Sequence, residues 1–371
     1  MQWHYCASEM MNIVKATRRY EAWLAEHTLL DARDLRLKHK RMAEGLFPFF
    51  RATFYRWMQL WPEACPSLCS APEVLAVGDL HVENFGTWRD VEGRLIWGVN
   101  DFDEAAKLPY TLDLVRLMAS AMVAAREGHL ALGFKNVCEV ILDGYRESLE
   151  EHGRPFVLAE KNKWLRDIAT NELRDPEHFW QKMDSFKMAE GKIPDSAEEA
   201  LQFLMPEKGI ECRVIKRIAG LGSLGHVRLV ATAYWKGGRV AREVKAMAPS
   251  AVHWAKGKRG PNELSYQTII SRAVRCVDPF VDLRGKWLVR RLAPYCSRIE
   301  LTVLPKERDE LKLLSAMAYE TANIHLGTPG ARKQILRHLA KAKSNWLLTA
   351  ADAMEKALAQ DWKTWRTSRS R

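Results

Sequence analysis

Two short apolar segments, each breaking off into an acid, constrain this chain most. "LAVGD" (Leu75 to Asp79) and "RLIWGVND" (Arg94 to Asp101) read as buried strands that run into turns. A carboxylate directly after such a strand leaves the core, so the fold must bring two strand ends to a cleft. In their wider context, "VGDLHVENFG" and "WGVNDFDEA", the segments offer Asp79, Asn84 and Asp101. Magnesium prefers hard oxygen ligands and keeps several waters, so one or two carboxylates and an amide oxygen suffice to hold it beside a nucleotide. Asn84 and Asp101 fit that part. Asp79, a few residues before the Asn, fits the base that takes a proton from an attacking hydroxyl. The plainer alternative is a pair of ordinary turns, because Asp, Asn and Gly are the commonest turn residues.

A second long pattern lies far downstream. In "ECRVIKRIAGLGSLGHVRLVATAYWKGGRVAREVKAM" (Glu211 to Met247) apolar residues alternate before and after a glycine-rich stretch and again after Lys236-Gly237-Gly238. Period-two patterning with a hairpin signal predicts a three-stranded antiparallel meander. Gly220, Gly222, Ser223 and Gly225 fall between its first two strands, where missing side chains let backbone N–H groups approach phosphate oxygens. Lys245 falls near the end of the third strand, where its ammonium could pair with phosphates as a point charge. A plain hairpin with three glycines would fit the strands almost as well, since a lone GxGxxG is a weak signal. Glu263, in the helical pattern "NELSYQTIISRAV", is the candidate acidic partner of Lys245; a surface role is the alternative.

These residues carry a resemblance. "GDLHVENF" resembles the "HGDLHxxN" loop of aminoglycoside phosphotransferases and choline kinases, and "NDFDEA" followed by "PYTLDLVRL" resembles their "IDFDxA…P…DLA" segment. "FPFFRAT", "GDLHVENFG", "NDFDEA" and "GLGSLG" together resemble a bacterial domain-of-unknown-function family placed in the protein-kinase-like superfamily. The resemblance spans about residues 45 to 325. It implies an α+β, protein-kinase-like two-lobe fold, with a small antiparallel β lobe and a larger, mostly helical lobe, that uses ATP and Mg2+. Val77 stands where the phosphotransferases have His, which puts loop geometry in question more than chemistry. The catalytic-loop motif precedes the glycine loop here, so the lobes read as circularly permuted. Residues 1–206 would form the catalytic-loop part of the helical lobe, 207–296 the nucleotide-binding β lobe with "WLVRRLAP" as hinge strand, and 297–371 helices returning to the helical lobe. Among these, "LLSAMAYETANIHLGT" (Leu313 to Thr328) resembles the helix that precedes the catalytic loop in the phosphotransferases; its His325 could equally be a dipole-compensating cap. His81 would contact the transferring phosphate or steady the loop, and Asp103 would bind a second metal or cap a turn. Asp113 would support the catalytic loop by hydrogen bonding, and Arg51 would pair with one of the acids.

Composition agrees with such a plan. The chain has 371 residues, 47% hydrophobic and 28% charged, the balance of a globular protein with a sizeable core. No stretch approaches the ~20 apolar residues of a membrane span, and the first residues lack a basic region followed by an apolar run. Seven scattered Cys match no zinc pattern and suit reduced thiols, so a cytoplasmic location is expected. The net charge of +11 attracts polyanions, nucleotides included. A nucleic-acid partner is disfavoured because no reader motif is present and Trp57, Trp61, Trp97, Trp164 and Trp287 lie in apolar, core-like patterns. Helices with one buried face are predicted over Met10 to Glu44 and Thr111 to Glu151; the polar stretch from Pro155 to Pro206, broken by Pro and Gly, is expected to shape the acceptor site. The reading that follows is an ATP- and magnesium-dependent phosphotransferase acting on a hydroxyl of an acceptor that the sequence leaves unidentified, most simply a small molecule. The alternatives are nucleotidyl transfer at the same site and a non-catalytic nucleotide or nucleic-acid binder. Oligomeric state is left open.

Overall fold

The computed structural model describes residues 11–130, 133–159, 161–169, 175–257, 264–294, 296 and 310–369. The first helical pattern forms two helices, α1 (Ile13–His27) and α2 (Ala32–Glu44), rather than one. The break falls where Asp31 caps α2, its carboxylate accepting from Arg33 N and Asp34 N. Helices α3 (Leu46–Ala52) and α4 (Phe54–Ala64) follow, and then strands β1 (Glu73–Ala76), β2 (Phe85–Arg89), β3 (Leu95–Val99) and β4 (Ala106–Pro109). β1 pairs antiparallel with β4, whereas β3 pairs with β2 and with the short β5 (Phe156–Val157). The two acid-bearing segments therefore belong to different small sheets.

The second helical pattern likewise splits, into α5 (Tyr110–Arg126) and α6 (Phe134–Glu150). Every residue of α5 from Tyr110 to Ala124 is buried, so its polar members Asp113, Arg116 and Ser120 must find partners inside the protein. After α7 (Lys163–Ala169), helices α8 (Pro176–Ser185) and α9 (Asp195–Phe203) lead to the expected meander, β6 (Arg213–Lys216), β7 (Arg228–Trp235) and β8 (Gly238–Ala246). Its second hairpin closes through Lys236 and Gly237, with φ of 46° and 82° between the paired Trp235 and Gly238. Two successive positive φ values define the turn whose twist matches that of the strands.

Helices α10 (Ala251–Ala255) and α11 (Tyr266–Arg272) precede β9 (Val281–Arg284) and β10 (Trp287–Leu292). The sheet order is β6-β7-β8-β10-β9, all neighbours antiparallel, so the expected hinge strand pairs with the lysine-bearing strand. Helix α9 buries Ala197, Ala200 and Leu201 against one face of this sheet, on Leu229, Val244 and Val289. Met183 of α8 packs with Val230, Ala241 and Leu292 on the other. Thus the stretch before Pro206, expected to shape the acceptor site, has two of its helices seated on the sheet.

The chain ends in α12 (Glu310–His325), α13 (Ala331–Leu339) and α14 (Trp346–Arg369). Tight packing of α12 on α6 depends on Gly144, where an added Cβ would lie 2.3 Å from Ser315 O. Helix α14 returns to the N-terminal helices, with Asp361 accepting from Arg56 Nε at 2.6 Å. The architecture is α+β, with three small antiparallel sheets and many helices among the described residues. Trp57, Trp61, Trp97 and Trp287 are buried and Trp164 is packed against the core. Among the described residues no helix is long and apolar enough to cross a membrane.

Candidate active site

Beyond β1 the chain turns at Gly78, with φ of 84°, and a Cβ there would lie 2.4 Å from Glu104 O, so both conformation and space demand glycine. The turn is held by Asp113, whose Oδ2 and Oδ1 accept from Val77 N at 2.7 Å and Gly78 N at 2.9 Å. His325 Nε2 lies 3.0 Å from the same Oδ2, and its Nδ1 lies 2.7 Å from the Tyr145 hydroxyl. All of this is buried. The expected supporting role of Asp113 matches its contacts, and His325 links the end of α12 to this turn.

The turn presents Asp79, whose Oδ1 accepts from Arg116 Nε at 3.0 Å and, closer still, from Arg116 Nη2. Arg116 is fixed in its turn: it is wholly buried, Nη2 donates to Phe50 O at 3.0 Å, and the guanidinium stacks 4.2 Å from the Phe50 ring centre. Burial pushes the Asp79 carboxyl up, Arg116 pulls it back and nearby Asp101 raises it, leaving it at about 6. A carboxylate so placed is ionised at neutral pH yet close enough to exchange a proton.

Two further motif residues meet at this point. Asn84 donates from Nδ2 to Asp79 O at 2.7 Å, which orients the amide and leaves Oδ1 as the atom a ligand would use. Asn100 N donates to Asn84 O at 3.1 Å, tying the two acidic segments together. From the five-stranded sheet, Lys245 reaches Asp103 with 2.5 Å to each carboxylate oxygen, and Asp101 Oδ1 at 3.7 Å. Lys245 is 2% exposed and Asp101 39%, so the cation is buried while the Asp101 carboxylate faces open space. Burial would raise Asp101, but Lys245 holds it below the usual range; burial and the charge of Asp101 push Asp103 up.

Closing the pocket from above is the glycine loop. Gly220, Gly222 and Ser223 line one cavity with Asp79, His81, Asn84, Asp101 and Asp103. Gly222 sits so close that a Cβ would come within 3.2 Å of both Asp79 Oδ2 and Arg51 O. Gly225 faces away: its carbonyl accepts from Asp31 N at 2.7 Å, and a Cβ would meet Leu35 at 2.5 Å. His81 is buried, its Nδ1 accepting from Glu83 N at 3.1 Å, and Arg51 pairs with Glu83. Glu263 lies outside the described residues; among those described, the acid nearest Lys245 is Asp103.

Three residues about this pocket, Arg116 and Lys38 buried and Glu104 half-buried, escape a motif-based reading. Arg116 is the counterion of Asp79, and its signal is a lone cation in the apolar run of α5. Lys38, from the basic cluster on α2, is 5% exposed and donates to Gly222 O at 2.7 Å, pinning the loop. Glu104 accepts from Ser250 Oγ at 2.8 Å and Ala251 N at 2.7 Å at the start of α10, and burial lifts its carboxyl to about 8. No sequence spacing marks Lys38 or Glu104, because their partners lie more than a hundred residues away.

The donor chemistry suits magnesium and phosphate: Asp101 and Asn84 offer hard oxygens, and Lys245 and loop amides offer donors. No group of three or more His, Cys, Asp or Glu among the described residues could by itself hold a metal, so any ion here would keep water or ligand oxygens in its shell. Space under the loop is small, ≈ 50 Å³. From the same Asp101, Gly220 and Leu221, however, a second cavity of ≈ 1360 Å³ opens between the sheet and the helices, ample for a nucleotide.

Residues 30–199 match a family described as "Uncharacterized protein conserved in bacteria (DUF2252)". The match covers Asp79, His81, Asn84, Asp101 and Asp103 but stops before the glycine loop and Lys245. No match was found among curated proteins, nor among solved structures.

Proposed function

We propose that this protein is a nucleotide- and magnesium-dependent phosphotransferase acting on an acceptor hydroxyl, built on a circularly permuted, protein-kinase-like two-lobe fold. One observation carries the reading: Asp79, Asn84, Asp101 and Asp103 share a pocket with a glycine loop, and Asp103 pairs with Lys245, although loop and lysine lie more than a hundred residues further along the chain. An ordinary pair of turns has no need of that meeting. The antiparallel order of β6, β7, β8 and β10 supports the β lobe, and the Asp113–His325 link supports placing α12 beside the catalytic loop.

In this reading Asp79 accepts the proton of the acceptor hydroxyl, and Arg116 holds the carboxylate in place and keeps it ionised. Asn84 Oδ1 and Asp101 would hold magnesium, which would offset negative charge on the phosphates. Lys245 would exchange its contact with Asp103 for a phosphate oxygen, and amides of the loop would face the same group. Because Gly222 rests on Asp79, the loop must lift before an acceptor reaches the base. Cys65, Cys138, Cys212, Cys276 and Cys296 are free thiols, which supports a reducing, cytoplasmic setting. The test is phosphorus NMR of purified protein with ATP and magnesium, using water and a panel of hydroxyl compounds as acceptors. Turnover of ATP that is lost in Asp79→Asn supports the reading; equal turnover in that variant refutes it.

A further inference from the structure

Beside Lys245, on the same face of the sheet, lies a group of charges that the proposed chemistry does not use. Glu243, two residues before Lys245 on β8, is fully buried and is shared by three guanidinium groups. Its Oε1 accepts from Arg290 Nε at 2.7 Å and Arg228 Nη1 at 3.0 Å, and Arg217 pairs with Oε2. The strand register makes this a row: Arg228 stands opposite Lys245, and Arg290 stands opposite Glu243. Arg228 also donates from Nη2 to Ser223 Oγ at 3.0 Å, wiring the row to the glycine loop.

One carboxylate cannot balance three guanidinium groups. Burying charge is costly unless it is paired, and with Arg217 and Arg290 about one-fifth to one-quarter exposed towards the cavity, the surplus positive charge favours a further anion there. The donors that would receive it exist. Arg217 Nε is buried without a hydrogen-bond partner among the described residues, and so is Nη1 of Arg275 nearby. Arg217, Arg228, Arg275 and Arg290 all line the large cavity, as Asp101 does. Planar guanidinium forks match phosphate oxygens two at a time, which a lysine cannot do.

From this geometry we infer that Arg217, Arg228 and Arg290 form a phosphate-binding subsite, distinct from Lys245 and the glycine loop, on the cavity wall next to Asp101. The inference rests on the proposed function for what the subsite serves, though not for its existence. Its phosphate can come from the nucleotide's own distal groups or from a phosphorylated acceptor. In the first case the arginines hold the β-phosphate: the acceptor oxygen bonds to Pγ as the Pβ–O–Pγ bond breaks, ADP leaves with its β-phosphate on the arginines, and the hydroxyl proton passes to Asp79. In the second case the γ-phosphoryl group is transferred and the arginines hold the acceptor.

The experiment is calorimetry of the full chain with pyrophosphate alone, without nucleotide or magnesium, in low and moderate salt. Binding that weakens with salt is expected, with at least a tenfold loss in Arg217→Gln and Arg290→Gln. Arg217→Lys should retain more affinity than Arg217→Gln. If Arg290→Gln does not fold, judged by its melting curve, Arg217→Gln carries the test, since that side chain is one-fifth exposed. No binding to the wild type, or binding that Lys245→Met removes while both Gln variants keep it, overturns the subsite. Given binding, ATP that displaces pyrophosphate assigns the subsite to the nucleotide, and simultaneous binding assigns it to the acceptor. Pyrophosphate binding without any ATP binding would leave the subsite standing and refute the proposed function; ATP binding indifferent to both Gln variants and no pyrophosphate binding would do the reverse.

Discussion

Replacing Asp79 with Asn should remove turnover and make the protein more stable. In the folded chain the Asp79 carboxyl sits at about 6 against an ordinary 3.8, a rise caused by burial and only partly offset by Arg116. Two units correspond to about 3 kcal/mol by which ionised Asp79 disfavours the folded state relative to its neutral form. The sign follows from proton binding. Between pH 3.8 and 6 the folded state binds more protons than the unfolded one, so this group's contribution to stability falls as pH rises through that window. Asn mimics the neutral carboxyl in shape, and the value of about 6 already includes the pull of Arg116, so the variant should gain up to about 3 kcal/mol above pH 7. Below pH 4 the gain should vanish. Urea denaturation of both proteins at pH 8 and at pH 4 measures the difference directly. A variant less stable than wild type at pH 8, or a gap that does not change with pH, would refute the reasoning. Stability given up at a reactive carboxylate is the expected trade at a functional site.

Other residues make separate demands. Asp113→Ala leaves Val77 N, Gly78 N and His325 Nε2 without their acceptor in the core, and at about 1–3 kcal/mol each the loss should be 3 kcal/mol or more by denaturation. Lys38→Met breaks the bond to Gly222 O, so amide exchange over residues 220–225 should quicken about tenfold, as the loss of about 1.5 kcal/mol implies, with the rest of the sheet unchanged. Lys245→Met should keep the fold and weaken nucleotide binding tenfold or more, as loss of a charged contact of about 1.5–3 kcal/mol requires, read by calorimetry.

Local signals were legible in the sequence and long-range ones were not. The β6–β7–β8 meander shows in the period-two pattern and in Lys236-Gly237, because hairpins are set by neighbouring residues. Both acids fall just past strand ends, as the apolar runs before them require. The pairing of β1 with β4 could not be read, since these strands are only four residues each and meet across the whole β2–β3 hairpin. The apolar period that suggested one helix over Met10 to Glu44 does not register the Asp31 cap, whose own backbone N donates to Gly225 O of the glycine loop. Arg116 was hidden for a different reason. A cation is normally read as marking the solvated face of a helix, and α5 has almost no such face. The Glu243 cluster is invisible for the same cause, as alternating charges on a strand look like an exposed edge until two other strands supply the arginines.

The central claim is that Asp101, held low beside Lys245, forms a magnesium-dependent nucleotide site with Asn84. Thermal shift of the purified protein with ATP, with ATP plus magnesium, and with AMP tests it most directly, since a ligand that binds only the folded state raises the midpoint by mass action. The account predicts a rise that needs both ATP and magnesium and that disappears in Asp101→Ala. A midpoint that stays put at millimolar ATP with magnesium, or a rise that Asp101→Ala retains in full, would contradict it.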